Sequence, residues 1–225
     1  MLFAAGRGTR MGALTADLPK PLVTLAGKSL IDHAMVQVDA VQPSRKVANL
    51  HYRAEMLRGP LTLRGYALSE EETLLETGGG LRLALPLLGP GPVMTLNSDA
   101  VWTGENPLAQ LASAWDAARM DGLLLLLPGG RATGHQGPGD FLRDSDGRLS
   151  RAQGAAGDVY LGAQILRTDD LAEVAQQVFS LNLIWDRMIA RGRLFGVIHQ
   201  GGWCDVGRPE AIALAEALLA GAQNA

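Results

Sequence analysis

The sequence predicts an α/β fold built on a mainly parallel sheet covered by helices. Two observations carry this expectation. Through about residue 128, short apolar runs of strand length alternate with stretches of helical periodicity, the pattern of parallel strands joined by helical crossovers. Two of the apolar runs also end in polar chemistry. The first opens into Gly6-Arg7-Gly8-Thr9-Arg10, and a later one delivers Asn97-Ser98-Asp99. Open α/β sheets hold their ligands at the carboxyl ends of their strands. With 225 residues, 47% of them hydrophobic, the chain is expected to form one globular domain over residues 1–225.

Taken in order, residues 2–5 read as a first buried strand, and residues 22–25 are apolar up to Ala26-Gly27. Residues 30–41 place Leu30, Ile31, Ala34, Met35 and Val38 on one helical stripe. Residues 47–50 read as a strand, 52–58 as a short helix closed by Gly59-Pro60, and 61–68 as a strand. Ser69-Glu70-Glu71-Glu72 reads as an acidic, solvated run. Glu76-Thr77-Gly78-Gly79-Gly80 opens a helix reaching about residue 88, and a Gly/Pro turn leads to a strand over 93–96. Asn106-Pro107 is a cap and first turn, starting a helix expected to run to about residue 120. Residues 123–127 return as a strand. From 129 to 157 glycine and polar residues imply loops and short antiparallel strands. A strand (159–166), a helix (181–191), a strand (194–198), a short apolar segment around Asp205 and a final amphipathic helix (209–220) complete the chain.

Composition narrows the function. The net charge of -3 offers no basic field for nucleic acid. The longest leucine run, residues 123–127, is far too short to cross a bilayer, and the apolar stretch at the start has neither the length nor the basic flank of a signal peptide. Cys204 is the one cysteine, so an intrachain disulfide is impossible and a reducing cytoplasm is expected. His33, His51, His135 and His199 are scattered without zinc-ligand spacing. Partners are therefore expected to be small molecules, and the protein a monomer or homodimer.

The glycine stretch is not a Walker loop, which requires G-x-x-x-x-G-K-[ST]. Nor is it a dinucleotide fingerprint, because Met11 stands where the third glycine belongs. Two glycines, Thr9 and Arg10, followed by Pro19-Lys20-Pro21, supply backbone amides and two cations to an anion. Asp99 follows an apolar strand, and Asp205 lies in Trp203-Cys204-Asp205-Val206-Gly207. Carboxylates in such surroundings need a partner. Either the two converge on one cation through oxygen ligands, or each caps a turn or pairs with an arginine.

Gly-x-Gly-Thr-Arg-Met with Pro-Lys-Pro resembles the signature of sugar-1-phosphate nucleotidyltransferases. Together with Glu-Thr-Gly-Gly-Gly, Asn-Ser-Asp, Gly-Asp-Phe and Trp-x-Asp-Val-Gly, it looks most like the small bacterial N-acetylmuramate-1-phosphate uridylyltransferases, which are similar to mannose-1-phosphate guanylyltransferases. The resemblance implies a Rossmann-like three-layer α/β/α fold, with a nucleotide-binding half over about 1–128 and a small sugar-binding lobe beyond it, in about 129–225. It implies that Arg10, Lys20 and Asp99 are catalytic and that Asp99 and Asp205 hold Mg²⁺. It places the nucleotide, UTP for preference, on Ala5, Gly6, Gly8, Thr9, Arg10, Glu76, Gly78 and Asn97. The sugar 1-phosphate falls to Gly139, Asp140 and Asn182, although Asn182 fits an N-cap equally well. Arg208 departs from the family, which carries Thr or Ser there. Rival readings are the guanylyltransferase, a catalytically silent regulatory subunit, and a dehydrogenase with a variant glycine loop.

Overall fold

In a computed structural model describing residues 1–223, strand and helix alternate through the first half as the sequence implies. The final two residues of the expected 1–225 domain lie outside the described residues. The order is β1 (Leu2–Phe3), β2 (Thr24–Leu25), β3 (Lys28–Ser29), α1 (Leu30–Ala40), β4 (Val47–Leu50), α2 (Ala54–Leu63), β5 (Ala67–Glu70), α3 (Glu76–Leu88), β6 (Val93–Asn97), β7 (Ala100–Trp102), α4 (Pro107–Ala114) and β8 (Gly122–Pro128). The second half adds β9 (Phe141–Arg143), β10 (Leu149–Arg151), β11 (Asp158–Leu166), α5 (Asn182–Ala190), β12 (Leu194–Ile198), β13 (Trp203–Asp205) and α6 (Glu210–Gln223). Among the described residues no helix is long and apolar enough to cross a membrane.

The strands β5-β4-β1-β6 lie side by side and all parallel. Next to β6 runs β11, antiparallel to β6 and to β8, and β12 joins β8 in parallel. The β9–β10 ribbon attaches at the start of β11. The five leucines of β8 show how both sheet faces are covered. Leu123, Leu125 and Leu127 join a cluster with α1, α2 and α4, whereas Leu124 and Leu126 join one with α3 and α5. Every second side chain of a strand points to the opposite face, so a continuous apolar run suits a strand buried on both sides. The result is the expected three-layer α/β/α architecture.

Three elements differ from the sequence reading. The helix α2 does not stop at Gly59-Pro60 but continues to Leu63, so the strand expected over 61–68 is replaced by β5 at Ala67–Glu70. Ala54, Leu57 and Leu61 form its buried stripe, and that burial outweighs the local breakers. The true stop is Gly65 at φ 77, where Tyr66 N–H returns to Leu61 O at 3.0 Å and Gly65 N–H to Thr62 O at 2.9 Å. This is a Schellman termination. The helix α4 ends at Ala114 rather than near residue 120. Asp116 takes over there, its side chain accepting from Ala118 N–H and its carbonyl from Met120 N–H, both at 2.9 Å. An aspartate offers the backbone this alternative to helix. Finally, Glu71 is no solvated member of an acidic run: it is 5% exposed.

Candidate active site

The glycine loop is shaped by the lysine that follows it. Gly8 lies at φ 64, and a Cβ there would fall 2.6 Å from Lys20 Cβ. Only glycine allows the lysine stem to cross so closely. The Gly8 carbonyl accepts from Met11 N–H and from Thr15 Oγ1, each at 2.9 Å, which fixes the turn. Gly6 faces open space, with nothing within 4 Å of where a Cβ would stand. Lys20 sits in a tight turn after Pro19, and its side chain is 8% exposed. Its Nζ donates to Asp99 Oδ2 at 2.8 Å. Among the described residues Arg10 makes no ion pair, and its Nη2 lies 3.3 Å from where a Cβ on Gly207 would be.

The two acids are brought together by a short ladder. β7 pairs antiparallel with β13, placing Asp205 opposite Ala100, and Val206 N–H donates to Asp99 O at 2.9 Å. Burial first, and the neighbouring Asp99 second, hold the Asp205 carboxyl above the usual carboxylate range, against the pull of Lys20, Arg10 and His135. A cation between the acids would relieve both penalties. Two carboxylates suit a hard ion that takes its remaining oxygens from water and phosphates. The donor set thus fits Mg²⁺. Arg208 is exposed and donates to Gln136 Oε1 at 2.8 Å. Cys204, buried behind the acids, is pushed up to about 11 by burial, so its thiol is unreactive at neutral pH.

A cavity of ≈ 430 Å³ lies over the ends of β1, β4, β5 and β6. Of the residues expected from sequence, Ala5, Gly6, Gly8, Thr9, Arg10, Lys20, Glu76, Asn97 and Asp99 line it, and Gly207 brings in the Asp205 end. Asn97 is pressed from behind by Gly162, at φ 79 in an irregularity of β11, where a Cβ would come within 2.8 Å of Asn97 Cγ. Gly78 is placed differently. Its N–H donates to Phe179 O at 2.9 Å, Gly79 N–H shares that carbonyl at 3.1 Å, and neither faces the cavity. A Cβ on Gly78 would meet the Phe179 ring and lie 2.8 Å from its carbonyl oxygen. The glycines therefore seat α3 against the 177–181 segment. Gly78→Ala is expected to cost about 1–3 kcal/mol by overpacking, read as a lower midpoint in urea. Nucleotide affinity in the folded fraction should stay near wild type, and an unchanged midpoint with weakened nucleotide binding would return Gly78 to the cavity.

The residues expected at the sugar lie outside the cavity lining. Gly139, at φ 116, packs on Gly157, where a Cβ would come within 2.5 Å of the Gly157 carbonyl oxygen. Asp140 is exposed and its Oδ2 accepts from Tyr160 N–H at 2.9 Å. Asn182 is the first residue of α5 and not its cap, which is Leu181; its N–H and Nδ2 both donate to Ser180 Oγ, and Ser180 does line the cavity. Sequence reasoning missed Asn49, Glu71, Ser98 and Thr77, all of which line it. An amide in an otherwise apolar strand, Val-Ala-Asn-Leu, was the available signal for Asn49. Nothing marked Glu71 among its acidic neighbours.

Residues 1–196 match the MobA-like NTP transferase domain. The N-acetylmuramate alpha-1-phosphate uridylyltransferase of Caulobacter vibrioides is 41% identical over 232 residues, covering 98% of this chain and 96% of that protein. The bifunctional protein GlmU of Burkholderia mallei is 35% identical over 152 residues, 67% of this chain but 32% of its own length. Among solved structures, HddC from Yersinia pseudotuberculosis complexed with GMP-PN superposes with a TM-score of 0.77 at 20% identity, covering 96% of each chain. The inositol-1-phosphate CTP transferase from T. maritima superposes at 0.76 with 16% identity, over 97% of this chain and 93% of that one. At such identities these structures speak for the fold.

Proposed function

The chain belongs to the MobA-like NTP transferase domain family, and from that premise we infer that it joins UTP to N-acetylmuramate 1-phosphate, giving UDP-N-acetylmuramate and pyrophosphate. The observation that carries the reaction is that Arg10, Lys20 and Asp99 line one cavity and that the β7–β13 ladder brings Asp205 beside Asp99. The choice of substrates is supported by the near full-length likeness to the Caulobacter enzyme. A silent regulatory subunit would have no need to keep all four charges.

A phosphate-monoester oxygen of the sugar 1-phosphate attacks the α-phosphorus, the bond to the bridging β-phosphate oxygen breaks, and pyrophosphate leaves. The attacking group is already largely dianionic at neutral pH, so no general base is required. In keeping with this, no histidine among the described residues lines the cavity. Gly6, Gly8 and Thr9 cradle the triphosphate, and Arg10 takes the charge that gathers on the leaving pyrophosphate. Lys20 neutralises the region where the two phosphates meet. Asp99 and Asp205 would hold Mg²⁺, which when bound supplies a fixed positive charge to the phosphoryl oxygens. Catalysis here is positioning and electrostatics.

Ser180, with Asn182 bonded to it, and the Gly139-Asp140 loop are proposed to meet the sugar from the second half of a single domain. Oligomeric state does not enter the mechanism, and a cytoplasmic setting suits the unoxidised, buried Cys204. Pyrophosphate release tests the reading, with UTP and N-acetylmuramate 1-phosphate set against GTP and mannose 1-phosphate. Release is expected with the first pair, lost in excess chelator and restored by Mg²⁺. Release with the second pair alone would keep the reaction and change the substrates. Turnover undiminished in chelator would remove the metal from Asp99 and Asp205.

A further inference from the structure

One end of the cavity is closed by a buried polar relay for which phosphoryl transfer has no use. Ala4 N–H donates to Asn49 Oδ1 at 2.9 Å, Asn49 Nδ2 donates to Glu71 Oε1 at 2.7 Å, and Leu75 N–H donates to Glu71 Oε2 at 2.9 Å. The bonds cross from the end of β1, through the end of β4, to the residue after β5 and on to the residue before α3. Asn49 is 4% exposed and Glu71 5%. Among the described residues the Glu71 carboxylate meets these two amides and no cation. Gly80 leaves room for it, since a Cβ there would fall 2.5 Å from Glu71 Oε1 and 3.0 Å from Asn49 Nδ2. A buried carboxylate without a cation is costly unless its hydrogen bonds are complete. What those bonds fix is the spacing of two backbone segments.

Those segments are Ala4-Ala5 and Leu74-Leu75-Glu76. Ala4, Ala5, Leu74 and Glu76 line the cavity. Glu76 stands at φ 59, a conformation that a non-glycine residue holds only where its surroundings impose it. The Leu75 N–H bond to Glu71 lies immediately before it. Across the sheet the order is Asp99 beyond β6, the glycine loop beyond β1, Asn49 in β4 and Glu71 beyond β5. With phosphates over the glycine loop and metal at the acids, the base falls at the β4–β5 side.

We propose that Asn49 and Glu71 are positioning residues for the nucleobase: they set the separation of the two backbone walls that grip it. The proposal rests on the nucleotide reading of the site given above. Each polar atom of the two side chains has a protein partner, so although both border the cavity they act on the base through Ala4 and Leu75.

The relay has a donor and acceptor logic that can be broken and rebuilt. Asn49→Asp sets two carboxylates face to face. Glu71→Gln sets an NH₂ against either the Asn49 NH₂ or the Leu75 N–H. The double variant Asn49→Asp with Glu71→Gln completes every bond again: Ala4 N–H to Asp, Gln NH₂ to Asp, and Leu75 N–H to the Gln oxygen. Calorimetric affinities for UTP and for tripolyphosphate, which has no base, are measured with Mg²⁺ beside melting temperatures. Each single variant is expected to weaken UTP about tenfold, the loss typical of a mismatched buried hydrogen bond. Tripolyphosphate should bind all variants as it binds wild type, and the double variant should regain wild-type UTP affinity.

Single variants that bind UTP normally would overturn the proposal, as would equal weakening of UTP and tripolyphosphate. If the single variants do not fold, the double variant decides, because wild-type stability without wild-type UTP affinity defeats the relay. Wild-type protein that binds neither ligand would instead defeat the nucleotide reading itself.

Discussion

Asp205→Asn should give a protein that melts higher without metal and turns over about 10²- to 10³-fold slower, the loss typical when one preorganised charge is removed from a reaction centre. The two effects have one cause. Burial and the neighbouring Asp99 hold the Asp205 carboxyl above its usual range. The folded protein therefore binds that proton more tightly than the unfolded chain does. The associated stability is fully present below the unfolded carboxylate range and is lost as pH rises through the raised, folded value. At neutral pH the metal-free protein carries the penalty, and the amide removes it. Melting temperature against pH, with and without Mg²⁺, is the measurement. In wild type without metal, stability should fall as pH climbs through that range, and the variant should lack this slope. Mg²⁺ should stabilise wild type and leave the variant nearly unchanged. A variant that melts lower, or that keeps full turnover, would mean that Asp205 serves as a turn cap.

Lys20→Met is expected to cost a similar factor in turnover, about 10²- to 10³-fold, with little change in stability. Methionine keeps the unbranched stem that crosses Gly8, where a Cβ would meet Lys20 Cβ and Cγ at 2.6 and 3.3 Å. It removes the ammonium that donates to Asp99 Oδ2 at 2.8 Å. Losing that pair leaves Asp99, whose side chain is 32% exposed, to water, and such a partly solvated carboxylate tolerates the loss. Lys20→Ala loses the packing as well, so it should also lower the melting temperature. Comparing the two separates charge from stem. If Lys20→Met turns over normally, the lysine is a structural partner of Asp99 and no phosphate ligand.

The glycine loop was legible in the sequence because its signals are local. Glycines, cations and prolines at fixed short spacing describe a backbone shape and a charge, and neither needs the rest of the fold. The layers were legible for a similar reason: the alternating leucines of β8 and the stripe of α1 report burial directly. The misread elements turn on distant partners. Gly59-Pro60 looked like an ending because nothing nearby shows that Leu57 and Leu61 are buried against the sheet. Glu71 looked solvated because its partner amide, Asn49, lies on another strand. Gly78 looked like a ligand contact because the ring that forbids a side chain there, Phe179, comes from the far half of the chain. Asp99 and Asp205 could be named as acids in apolar settings, but their meeting depends on the pairing of β7 with β13.

That pairing also gives the reaction centre a place in the order of folding. The glycine loop, β1, β4, β5 and β6 are all synthesised early, and the parallel strand pairs can form before β13 exists. Asp205 reaches Asp99 only when β13 docks on β7, a closure between segments distant in sequence that comes late because its loop entropy is high. A nascent chain emerged as far as β12 would hold the glycine loop and Asp99 without Asp205. On the proposed mechanism, turnover would therefore require the chain through β13: a product stalled or clipped before it would lack one of the two acids.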